Sequence, residues 1–174
     1  MRATPVVQCY FLDTGYCLAW EHHVIQGGAK RRIECHSLVA LLHHPEHGWL
    51  LWDAGYAPRM LTVTQRLPFA LYRLATPLCV TPRLSVQAQL HQWGLVPADI
   101  RHVLISHFHA DPIAGLRDFP HAQYIAHYDA YTDVAERHGL NALRRGFIPA
   151  LLPDDFQQRV TLLLLWLQHL CNRD

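Results

Sequence analysis

The sequence has almost no net charge, no CxxC spacing and no long apolar run, and each absence removes a class of function. Fifteen Lys and Arg stand against 14 Asp and Glu, a formal net charge of +1. That balance gives nucleic acid no electrostatic footprint, and the short basic stretch Lys30, Arg31, Arg32 reads as a solvated loop. The five cysteines, at 9, 17, 35, 79 and 171, are odd in number and scattered. Neither a disulfide framework nor a thiolate zinc knuckle follows, and a reducing cytoplasm is the simplest home. The longest apolar run, Leu162 to Leu167, falls far short of the roughly 20 residues of a membrane span. The opening MRATPVVQCYFLDTG lacks the continuous apolar core of a signal peptide, so neither secretion nor a membrane is expected.

What is present is the composition of one folded unit. Apolar residues make up 51% of the 174 and charged residues 17%, enough to bury a core and too apolar for disorder. Strands are expected at Val6–Leu12, Glu34–Leu42, Trp49–Trp52, His102–Ser106 and Gln123–Ala126. Their apolar runs lack clean alternation, which predicts cover on both faces. Residues 56–84 hold Pro58, Pro68, Pro77 and Pro82 among aromatic and aliphatic residues and read as a partly helical excursion, a candidate lid. Ser85 is a fitting N-cap for a helix presenting Val86, Leu90 and Trp93 on one face, with Gly94 just past its end. A second helix is expected from His127 to His138. Strands alternating with helices predict an α/β layered fold.

Fourteen histidines are many, but only their spacing can make them informative. In SHFHADPIAGL, residues 106–116, His107, His109 and Asp111 alternate behind a strand. Positions i and i+2 on extended backbone share a face, so the two imidazoles and the carboxylate can converge on one ion. Imidazole with carboxylate is an ordinary zinc, iron or manganese donor set. The competing reading is a strand reaching solvent, with Asp111 an N-cap and Pro112 a first-turn residue. Asp53 before Ala54 and Gly55 is, by spacing alone, a turn residue. His22 and His23 precede a Gly-Gly loop, and His43, His44 and His47 flank a turn, so both sets read as surface. His121, His127 and His138 border a strand and a helix, and His169 reads as a helix residue rather than a ligand.

Three stretches together, LLWDAGY (50–56), DIRHVLISHFHADPIAGL (99–116) and FPHAQYIAH (119–127), resemble the metallo-beta-lactamase superfamily, in particular its lactonase-like hydrolases. The resemblance covers about residues 34–156 and implies an αββα layered fold, here truncated to roughly its first half. The whole chain, 1–174, then reads as a single incomplete domain with a divergent tail from 161. By the resemblance, His107 and His109 are ligands of a first zinc ion and Asp111 of a second. Asp53 supports the site from below. The implied activity is hydrolysis of an ester, lactone or thioester in a small-molecule substrate, with Asp111 as the catalytic carboxylate.

Two departures bear on that activity. Pro112 stands where the motif's last His belongs; it offers no lone pair and biases Asp111 away from helical backbone. Nothing after His138 matches the downstream ligands, so one Zn2+ ion is expected rather than two, with activity impaired. The alternative is an inactive half-domain that binds metal weakly or self-associates through the apolar tail VTLLLLWLQHL. The tail's competing reading is an ordinary closing helix.

Overall fold

The computed structural model describes residues 5–164. Its seven strands are β1 (Gln8–Trp20), β2 (Arg32–His44), β3 (Gly48–Trp52), β4 (Leu78–Cys79), β5 (Ile100–Ile105), β6 (Gln123–His127) and β7 (Val160–Leu163). They form one sheet in the order β4-β1-β2-β3-β5-β6-β7. The first four pair antiparallel, whereas β3, β5, β6 and β7 run parallel. Parallel strands need crossovers, and the helical segments after β3, β5 and β6 provide them.

Cross-strand register defines two faces. Leu12, Val39, Leu41, Leu51, Val103, Tyr124 and Ala126 line one face and are buried under the helical segments. Phe11, Ala40, Trp52, Leu104 and Ile125 form a row on the other. There Phe11 is 75%, Leu38 58% and Trp52 48% exposed. The expectation of cover on both faces is thus corrected for the described residues. The missing alternation reflects two apolar faces, of which one is covered.

Three further expectations are revised. The first strand does not stop at Leu12. The ladder slips at a register shift between Asp13 and Tyr16 and pairing then resumes at Tyr16. The buried Thr14 hydroxyl holds this irregularity by donating to the Ser37 carbonyl at 2.8 Å and accepting from the Tyr56 N–H at 3.0 Å. The excursion at 56–84 is not simply a lid: Tyr56, Ala57, Met60 and Thr64 are buried, and only its outer part, with Leu67 and Leu74, is open to solvent. The start of the tail is not a helix. Val160–Leu163 adds β7 beside β6, with Leu162 on the covered side opposite Ala126, as β-branched Val160 and Thr161 favour. His169 and the rest of the tail, including its proposed self-association, lie outside the described residues.

The helix beginning at Val86 has Ser85 as N-cap, accepting from the Ala88 N–H, then narrows to a 3₁₀ turn, Leu90–Trp93, before left-handed Gly94. His127 caps the helix Tyr128–Ala135, accepting from the Asp129 N–H at 3.2 Å. Among the described residues no helix is long and apolar enough to cross a membrane.

Candidate metal centre

The site is built where β3 and β5 end side by side. Asp53 follows β3 and donates its N–H to the Leu104 carbonyl at 2.8 Å. Its backbone is left-handed, φ 66°, a conformation Asp tolerates better than most residues. The carboxylate then spans the gap to β5, accepting from the Ser106 N–H at 2.8 Å and from the Ser106 hydroxyl at 2.7 Å. Burial raises the Asp53 pKa, and the two Ser106 hydrogen bonds oppose that shift. Asp53 thus ends β3 in a left-handed conformation and braces the next strand.

The brace continues into the first histidine. Ser106 Oγ lies 2.8 Å from His107 Nδ1. With the hydroxyl hydrogen given to Asp53, Nδ1–H donates to Oγ, and the Nε2 lone pair is left for a metal. Ser106 sits inside the motif but had no role in the sequence reading, because its bond to Asp53 joins residues 53 apart. A Ser106→Ala chain should bind zinc about 10–100-fold more weakly, read by competition with a chromophoric chelator; unchanged affinity would refute the brace.

Alternation does the rest. Phe108 points the opposite way into the core, 3% exposed, with its ring centroid 5.5 Å from Tyr131 and 6.0 Å from Phe156. That anchor turns His107 and His109 outward together, their ring centroids 4.6 Å apart. Burial, and then repulsion from His107, lowers the His109 pKa and favours the neutral, lone-pair form that a metal needs. One donor atom each from His107, His109 and Asp111 all lie within 4.8 Å of one another. It is the one group of this kind among the described residues. The other histidines named from the sequence do not join it.

Pro112 does not misdirect Asp111. Ala110–Ile113 is a helical turn with His109 as N-cap, so Pro112 occupies a first-turn position where a missing N–H costs nothing. Its carbonyl accepts from the Ala54 N–H at 2.8 Å, and the Gly115 N–H donates to the Gly55 carbonyl at 3.0 Å, docking the turn on the Asp53 loop. Gly115 is required for that approach, since a Cβ there would lie 2.1 Å from the Ala54 oxygen.

Three more residues lie by the site: Tyr56, which ends the LLWDAGY stretch, and Tyr72 and Gly146, to which no sequence signal pointed. Tyr56 is buried and its neighbour Tyr72 partly buried; both hydroxyls feel the Asp111 charge, and burial pushes the Tyr72 phenol up to about 12 and Tyr56 further in the same direction. Gly146, at φ +65°, backs the His109 ring, with a built Cβ 3.0 Å from Cδ2. Gly146→Ala should cost about 1–3 kcal/mol from the left-handed backbone and displace His109. Urea midpoints and zinc affinity should both fall, and a change in neither would refute the contact.

The family model of the metallo-beta-lactamase superfamily matches residues 32–157. Metallo-beta-lactamase domain-containing protein 1 of Xenopus laevis is 33% identical over 73 residues, 41% of this chain and 29% of that protein. A probable metal-dependent hydrolase from Staphylococcus aureus shares the fold with a TM-score of 0.69 at 17% identity, covering 90% of this chain and 58% of the other. An N-acyl homoserine lactone hydrolase, solved with N-hexanoyl-L-homoserine bound at its catalytic metal centre, gives 0.68 at 18% identity, covering 94% and 60%. The chain thus spans about 60% of the length of such solved relatives.

Proposed function

The chain belongs to the metallo-beta-lactamase superfamily, and from that premise we propose that it is a zinc-dependent hydrolase acting on an ester, lactone or thioester. The observation that carries this reading is the convergence of His107, His109 and Asp111 donor atoms within 4.8 Å at the end of β5. Those atoms suit zinc by type, two imidazoles and one carboxylate, and leave coordination positions open for substrate. A divalent ion held there supplies Lewis acidity, polarising a carbonyl oxygen and lowering the pKa of bound water to about 7.

The protein groups then have separate tasks. His107 offers Nε2 because Ser106 holds its Nδ1, and Asp53 holds Ser106. Asp111, the only carboxylate in the group, orients the attacking water through a carboxylate oxygen. The hydroxyls of buried Tyr56 and partly buried Tyr72 lie near enough to Asp111 to feel its charge. The solved lactone hydrolase of the same fold makes acyl homoserine lactones the first substrates to test, with aryl esters and acyl thioesters beside them.

A slow enzyme is the form of this proposal that the residues favour. Pro112 adds no ligand, and the described residues gather a single donor group, which suits one ion. The test is hydrolysis of those three substrate types by zinc-loaded protein, with and without a chelator. Turnover that the chelator abolishes supports the reading; no turnover by a zinc-loaded chain favours the second one, a metal-binding domain without hydrolysis. Replacing Pro112 by His should strengthen metal binding modestly without raising turnover to that of a two-ion enzyme.

A further inference from the structure

The strand ribbon beside the site carries a thiol pair that the metal reading does not use. Cys17 on β1 and Cys35 on β2 are direct cross-strand partners. Directly opposed residues of antiparallel strands have Cα atoms about 4.5–5.5 Å apart, inside the roughly 4.4–6.8 Å that a disulfide spans. Opposed residues also project to the same face, and both thiols are free and partly buried there. Burial raises the Cys17 pKa; the Tyr56 hydroxyl it meets lowers it, and a charge on the facing Cys35 raises it. Cys9 and Cys79 are exposed and oppose Leu42 and Tyr16, so neither faces a thiol across its strand pair.

We propose that Cys17 and Cys35 form a reversible disulfide site, closed by a low-molecular-weight disulfide such as oxidised glutathione and reopened by a dithiol. One protein thiolate attacks a sulfur of the oxidant, whose S–S bond breaks and releases one reduced thiol. The second protein thiol, on losing its proton, attacks the mixed disulfide; the Cys17–Cys35 bond forms and the second reduced thiol leaves. The pair is oxidised by two electrons, the oxidant is reduced by two, and both protons end on the released thiols. Closure consumes the Cys17 thiol that the Tyr56 hydroxyl meets, so the state of the pair is felt at Tyr56.

The test uses the full chain with Cys9, Cys79 and Cys171 changed to Ser, treated with oxidised glutathione and read by intact mass. The expected product has lost two hydrogens, reacts with no thiol reagent and regains both thiols with dithiothreitol. Adding Cys35→Ser should trap one stable glutathione adduct on Cys17. A chain that keeps its reduced mass, or carries two separate adducts, overturns the proposal. Should the triple change prevent folding, Cys9→Ser alone suffices: trypsin cleaves after Lys30 and Arg32, separating the two cysteines, and the oxidised sample should yield them as one linked peptide. Linkage of Cys17 to Cys79 instead would equally overturn it.

Discussion

Zinc should stabilise this chain against unfolding, and the double variant His107→Ala, His109→Ala should lose that response entirely. A ligand that binds only the folded state adds RT ln(1 + [L]/Kd), about 2.7 kcal/mol when free ligand stands a hundredfold above Kd. Two of the three donors disappear in the variant, and Asp111 alone cannot hold the ion. Both side chains reach outward from a turn whose packing rests on Phe108, so the zinc-free variant should unfold close to the zinc-free parent. Urea titrations with and without zinc separate the possibilities. An equal zinc response in parent and variant would place the metal elsewhere and sink the assignment.

Phe108→Ala should produce the largest loss of intrinsic stability near the site. The ring is 3% exposed and meets Tyr131, Phe147 and Phe156 in one aromatic cluster. Truncating a buried Phe costs about 3–5 kcal/mol, because transfer energy is lost and a cavity is left. For a chain of this size that corresponds to a fall in Tm on the order of 10 °C. The same substitution should weaken zinc binding although Phe108 is no ligand, because its anchor is what turns the flanking histidines to one side. A stability loss below about 1 kcal/mol would mean that the cluster repacks, outside the usual range for buried Phe.

The candidate centre was legible where its chemistry is local. His107 and His109 stand at alternate positions, so a short stretch of chain already turns them to one side, and Asp111 joins them from the helical turn that follows. The strands feeding the site were legible for the same reason, as β3, β5 and β6 lie within a residue or two of their expected bounds. Ser106 was not, because its part depends on β3 and β5 being neighbours, a pairing fixed by the whole sheet. Tyr72 and Gly146 reach the site through tertiary packing alone, and no periodicity marks them. Pro112 fits its first-turn reading, whereas the bias against helical backbone before proline yielded to a turn docked on Ala54 and Gly55. The continuation of β1 past Leu12 was likewise not legible, because it depends on Thr14 bonding to Ser37 and Tyr56, both far away in sequence.

The central claim is that three side chains of one turn hold a metal ion, and native mass spectrometry of the full chain titrated with zinc tests it most directly. The account predicts a dominant species carrying one zinc ion, stripped by chelator and absent when His107 and His109 are both Ala. A folded chain that stays metal-free in excess zinc, or a double variant that retains the ion, would contradict it.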